Sequence, residues 1–304
     1  MTIYSLTLPV AVSEERRGHL GEMLGEWALD ERLEGILLLG RACGLAYDAP
    51  EVDVVVSTGD ADGGAGSDFR AGCGATWFRV RVCSQKKFLG DLTDGLLTPH
   101  KLALREGFLS LDRRGRLADV LRALEPMYKR DLPRARLAAA AEAVAALRGA
   151  EVAVSDAGAC DAAGALAALA AKLTELELLN EGIWSPLFYG RATGRGGNAR
   201  RVCASLYREG DYPDNLGRIA AEAAVLFKRY LPAAATPVFD LLIKRGGSAL
   251  AATVIDELTL ADVPGVDLLL AALVEYGLVK VGREERPVPG LSGLTYSEPV
   301  LTLP

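Results

Sequence analysis

The chain has little with which to build a metal or redox centre from soft ligands. It has only two histidines, His19 and His100, and its five cysteines, Cys43, Cys73, Cys83, Cys160 and Cys203, lack the short spacings that gather ligands around zinc. An odd, dispersed set of thiols argues against a disulfide framework and for a reduced, cytoplasmic chain. Basic residues are in deficit as well: 34 Lys and Arg stand against 40 Asp and Glu, a net charge of −6. That balance excludes a protein whose whole surface grips nucleic acid, while leaving room for a local basic patch. Aromatic residues make up only 6% of the chain, and the Ala- and Leu-rich remainder favours helices beyond the N-terminal third. Long apolar runs are missing too. Acids and glycines interrupt each of them, and Met1-Thr2-Ile3-Tyr4-Ser5 carries no basic segment ahead of an apolar one, so neither a membrane span nor a signal peptide is expected.

What is present is a core and one unusual stretch. Half the residues are hydrophobic, enough for a sizeable core, and 304 residues suit two domains or three small ones. The stretch runs from Leu37 to Val56. An apolar strand ends on Gly40, a connection rich in small residues closes at Pro50, and a second strand opens with Glu51 and Asp53. Side chains alternate along a strand, so the two acids share a face while Val52 and Val54 turn to the core. Two carboxylates at one place repel unless a cation sits between them, and hard oxygen ligands of this kind suit Mg²⁺ held jointly with substrate phosphates. The plainer alternative is a pair of solvent-facing acids at a strand start.

Taken in order, residues 1–11 alternate loosely as an edge strand, and Ser13 with Glu14 and Glu15 caps a helix running to about Leu33. Strands follow at Ile36–Leu39 and Val52–Ser57. Residues 58–75, rich in Gly and Asp, read as a loop, and the alternating Trp77-Phe78-Arg79-Val80-Arg81-Val82-Cys83 as a strand. From Leu117 to about Ala146 the pattern is helical with breaks at Pro126 and Pro133. A turn is expected over Gly149–Gly158 and a helix over Ala162–Asn180. The segment Arg191–Arg201 holds four arginines among glycines. It is either a solvated loop or, through Arg195 and Arg200, a clamp for nucleotide phosphate or nucleic acid. Helices are expected at Asn215–Tyr230, Thr236–Arg245, Ser248–Leu258 and Gly265–Tyr276, then two strands over 277–284 and 293–303.

The stretch with Gly40, Ala42, Gly44, Ala46, Glu51 and Asp53 resembles the signature of the nucleotidyltransferase superfamily related to DNA polymerase beta and the kanamycin-type enzymes. There a strand ends on Gly-Ser, a helix of small residues follows, and the next strand begins Asp-x-Asp. Phe108–Leu117, with its Asp112-Arg113-Arg114-Gly115 turn, resembles the family's last core strand. The resemblance implies an α+β domain with a mixed sheet over residues 1–124, then a helical bundle over 125–232. The tail over 233–304 resembles a winged-helix domain. Glu51 and Asp53 would be Mg²⁺ ligands and catalytic residues, and Gly40, Arg41 and Gly44 would lie against the triphosphate.

This chain departs from the pattern at three places. Arg41 stands for the family's Ser, Glu51 for its first Asp, and Arg79 for the third acid, which binds metal or takes the acceptor's proton. A guanidinium does neither. It could neutralise an acid or bind phosphate instead. The tail's third helix carries Asp267 and Glu275 and no Lys or Arg, so DNA reading through it is not expected. Two functions remain. One is Mg²⁺-dependent transfer of a nucleotidyl group from a nucleoside triphosphate to a hydroxyl. The other is a catalytically inactive scaffold that binds nucleotide, nucleic acid or a protein, with a homodimer through the C-terminal unit as one arrangement.

Overall fold

The computed structural model describes residues 6–8, 14–39, 51–59, 67–73, 76–84, 107–156, 159–184, 197–209, 213–289 and 294–304. The chain divides into two compact units, Met1–Asp131 with Trp184–Arg191, and Leu132–Ile183 with Ala192–Pro304.

The first unit opens with helix α1 (Glu14–Trp27), whose first turn carries Glu14 and Glu15 where acids complement the helix dipole. Leu20, Met23 and Leu24, three and four residues apart, form its buried stripe. The helix stops short of the Leu33 expected for it because Asp30 builds a turn. Its carboxylate accepts the Arg32 N–H at 3.0 Å, and its carbonyl accepts the Leu33 N–H at 3.1 Å. Arg32 also holds the Asp30 carboxyl down at about 2, mainly through a side-chain hydrogen bond.

Leu33 then begins β1 (Leu33–Leu39), buried along its whole length. With β2 (Glu51–Thr58), β3 (Ser67–Cys73), β4 (Thr76–Ser84) and β5 (Phe108–Asp112) it forms a mixed sheet of order β3-β4-β2-β1-β5. β2 and β4 run parallel and the other neighbours antiparallel. The strands expected at Ile36–Leu39, Val52–Val56 and Trp77–Val82 therefore lie side by side. One face, with Ile36, Leu38, Val54, Val56, Phe78, Val80 and Leu111, packs into a common core with the α1 stripe.

β3 corrects the loop reading of residues 58–75. Asp68, Phe69 and Arg70 are all exposed and only the small Ala71 packs on the core, so the apolar alternation Phe69-Ala71 is too weak to mark the strand. It is held by its ladder to β4 and by an ion pair at 3.1 Å between Asp68 and its register partner Arg81. At the opposite edge Thr7 donates its N–H to Ser110 O at 3.0 Å, and the Ser110 hydroxyl donates back to Thr7 O at 2.6 Å. The rest of the edge strand expected over 1–11, and Ser13, lie outside the described residues apart from residues 6 and 8, which are irregular.

Helix α2 (Arg116–Asp156) starts where the Asp112 carboxylate accepts the Ala118 N–H at 2.9 Å, after Gly115 at φ 72°. Its first turn presses onto the sheet at Gly35. A Cβ there would sit 2.3 Å from Leu117 Cδ1, so only glycine admits the helix so closely. The breaks expected at Pro126 and Pro133, and the turn at Gly149–Gly158, are replaced by one helix running to Asp156. Each proline removes one hydrogen bond, and buried residues around them, Leu124, Tyr128, Leu137 and Ala139–Ala141, hold the helix through both. The boundary expected near residue 124 falls inside it.

The second unit comprises the later part of α2, then α3 (Ala159–Asn180), α4 (Asn198–Glu209), α5 (Pro213–Ala234), which continues through Pro232, and α6 (Thr236–Lys244). After them come β6 (Ser248–Leu250), α7 (Ala251–Glu257), α8 (Val266–Glu275), β7 (Lys280–Pro287) and β8 (Thr295–Thr302). The helix expected over Ser248–Leu258 thus begins as a strand. The three strands form an antiparallel sheet of order β6-β8-β7.

Candidate functional site

The acids open β2, and the ladder on either side decides their neighbours. Asp53 is in register with Leu39 on β1 and with Arg79 on β4, and Arg79 is in turn in register with Arg70 on β3. Glu51 is in register with Trp77, and Trp77 with Gly72. Residues in register on neighbouring strands share a face. The sheet therefore presents two adjacent rows, Glu51-Trp77-Gly72 and Asp53-Arg79-Arg70, on the face opposite the α1 core. Along β4 the alternation is sharp: Phe78 and Val80 are fully buried, and Trp77, Arg79 and Arg81 are exposed.

Of the residues expected at the site, Asp53 and Arg79 are brought side by side, and Glu51 stands one row away. Gly40, Arg41, Gly44 and Arg195 lie outside the described residues. Arg200 sits in the first turn of α4, in the second unit. The next row of the sheet, Val55-Arg81-Asp68, offers no replacement for the third acid, because Asp68 is paired with Arg81. Among the described residues no three His, Cys, Asp or Glu side chains gather as a metal site. The acids that the register sets nearest to Arg79 are Asp53, its partner, and Glu51, two residues earlier on β2. Two carboxylates suit a Mg²⁺ that keeps several waters and shares phosphate oxygens, rather than an ion caged by protein alone.

A second polar cluster was not foreseen in the sequence. Glu177 of α3, 8% exposed, accepts the Asn198 N–H at 2.9 Å and the Tyr230 hydroxyl at 2.6 Å. A Cβ on Gly197 would lie 2.5 Å from its Oε2, so glycine lets the carboxylate reach the start of α4. This bears on the arginine segment: the N–H at the head of α4 already binds an internal carboxylate where a phosphate would otherwise sit. Burial first, and then Glu177, pushes the Tyr230 phenol well above its ordinary value. The folded chain thus keeps a proton that the unfolded chain releases from about pH 10, and stability should fall as pH rises past that point. Tyr230→Phe should be less stable at neutral pH by about 1 kcal/mol, from the lost hydrogen bond. It should also show a shallower alkaline decline, read from melting temperatures across pH 8–11.

The third helix of the tail, α8, lies along α2 within the second unit. Arg134 donates to Thr259 O at 2.8 Å and pairs with Asp262 at 2.9 Å. A Cβ on Gly265, at φ 79°, would meet Ala141 O at 2.9 Å, and Arg148 pairs with Glu275. The three α2 positions are seven residues apart, so one stripe of α2 runs the length of α8. At its far end Tyr276 packs on Phe227 with ring centroids 6.2 Å apart, beneath Lys228. Of the two acids on this helix, Glu275 is engaged in a contact inside the unit.

No described helix is long and apolar enough to cross a membrane. The sequence matches no protein-family model and no curated protein. Among solved structures, the chain resembles a nucleotidyltransferase-like protein from Exiguobacterium sibiricum, with 13% identity and a TM-score of 0.55. The likeness covers 93% of this chain and 98% of that one. At such identity it speaks of the fold alone: an α+β unit with a mixed sheet followed by helices, arranged as in a nucleotidyltransferase-like protein.

Proposed function

We propose that the first unit binds a nucleoside triphosphate together with Mg²⁺ at the opening of β2, as a binding module in which Arg79 takes the place of a third carboxylate. The observation that carries this reading is the register Asp53 to Arg79. A guanidinium beside the acid offsets its charge and presents a fork that matches phosphate oxygens. Glu51 and Asp53 would hold the cation, which, when bound, neutralises triphosphate charge and aligns the α-phosphate. Because Arg79 competes for the same acids, Mg²⁺ should bind poorly until the triphosphate brings its own oxygens. The guanidinium of Arg79 cannot take a proton from an attacking hydroxyl, so nucleotidyl transfer is absent or slow.

The retained acid pair favours a second reading, in which the same cation supports transfer to a hydroxyl acceptor. The two readings part on metal-dependent transfer of labelled nucleotide to a panel of acceptors, which the binding-module reading expects to be negligible. In either case Arg79→Asp should raise affinity for Mg²⁺ or Mn²⁺ in the absence of nucleotide by at least roughly ten-fold, as a repelling neighbour becomes a ligand. Titration calorimetry reads this directly, and an unchanged affinity would place Arg79 outside the site.

In the tail, the order helix, strand, two helices and hairpin, with sheet order β6-β8-β7, supports a winged-helix-like unit whose third helix serves as an internal brace.

A further inference from the structure

We infer that Trp77 is the platform on which the base of the bound nucleotide stacks. The inference rests on the reading of this sheet end as a nucleotide site and adds where the base goes.

Trp77 is 56% exposed, an unusual state for the side chain with the most apolar surface to bury. Its own neighbour on β3 shows how it is held. A Cβ built on Gly72 would lie 3.3, 3.4 and 3.6 Å from Cζ3, Cε3 and Cη2 of the indole. Three consecutive ring atoms at nearly equal distance mean that the glycine sits over the ring face, since an edge-on approach would leave the two flanking atoms distinctly further away. One face of the indole therefore rests on the β3 backbone at a position without a side chain. The exposure that remains belongs to the other face and the rim. A flat aromatic surface backed by a strand and open on its far side is what a purine or pyrimidine ring requires, because every base has a π-face to lay on it.

The adjoining row supplies the complementary charge. Arg70 and Arg79 stand directly opposite each other across β3 and β4, a like-charged pairing that the sheet avoids one row further on, where Asp68 faces Arg81. The row Asp53-Arg79-Arg70 sets two guanidiniums in register beside one another, and a guanidinium fork matches phosphate oxygens. Base on Trp77 and phosphates towards Arg79 and Arg70 would place the triphosphate beside Glu51 and Asp53. Phe69, the neighbouring aromatic on β3, serves the other face of the sheet, where its ring meets Trp27 of α1 edge-on with centroids 6.3 Å apart.

The test titrates the full chain, with Mg²⁺ present, against ATP and against inorganic tripolyphosphate, which has no base. In Trp77→Ala the affinity for ATP should fall about ten-fold while that for tripolyphosphate stays within about two-fold, and Trp77→Phe should lie between wild type and Ala for ATP. If both ligands bind the wild type and Trp77→Ala weakens neither, or weakens both equally, the stacking inference is overturned and the nucleotide site stands. If the wild type binds neither ligand, the site and the inference fall together.

Discussion

Asp53→Asn is expected to abolish the Mg²⁺ dependence of triphosphate binding and, at the same time, to strengthen binding without metal. The two effects have one cause. Asp53 has Arg79 as its register partner, and on the proposed reading its charge would attract both the cation and the guanidinium. Two unit charges about 4 Å apart at an effective dielectric of 20 interact by about 4 kcal/mol. Removing the carboxylate's charge therefore costs a metal–nucleotide complex as much as roughly three decades in affinity. The same change removes a repulsion against the phosphates, so in chelator the variant should bind triphosphate more tightly than wild type. Calorimetric titrations in Mg²⁺ and in chelator separate the two signs. A uniform loss under both conditions would mean that Asp53 only supports the fold.

Gly265→Ala should destabilise the second unit by about 3 kcal/mol. Gly265 lies at φ 79°, where a Cβ alone costs roughly 1–2 kcal/mol. Here it would also sit 2.9 Å from Ala141 O, a backbone atom of α2 that cannot swing away, and forced overpacking adds about 1–3 kcal/mol. Gly246 provides the control. It has the same φ of 79° with nothing within 4 Å of its virtual Cβ, so Gly246→Ala should show the conformational cost alone. Scanning calorimetry should place the Gly265→Ala transition lower than that of Gly246→Ala by about 3–8 °C. Equal midpoints would contradict the docking of α8 along α2, and with it the account of why the third helix is not a DNA reader.

The sheet was legible in the sequence wherever burial imposed a pattern. β1, β2 and β4 announce themselves by apolar runs and by the alternation Trp77-Phe78-Arg79-Val80, and the position of Arg79 beside Asp53 followed from that alternation once the strands were paired. β3 was not legible, because an exposed edge strand of Ser, Asp, Phe, Arg and Ala buries little beyond Ala71 and owes its form mainly to ladder bonds and an ion pair with β4. The prolines misled in the opposite direction. Pro126 and Pro133 are local breakers by chemistry, and the buried residues around them override both. Trp77 could have been found: the alternation that exposes Arg79 exposes Trp77 two residues earlier. Glu177 could not, since only the fold brings it to Gly197, Asn198 and Tyr230 from 20 to 53 residues away.

The most direct measurement is a crystal of the protein soaked with Mn²⁺ and a non-hydrolysable nucleoside triphosphate, with the ion located by its anomalous scattering. The account predicts one ion at the opening of β2, beside Glu51 and Asp53 and bridged to the triphosphate, with Arg79 on the phosphates and no ion there when the nucleotide is left out. A triphosphate bound elsewhere, for example on the arginine segment ahead of α4, with β2 empty of metal and nucleotide, would contradict it.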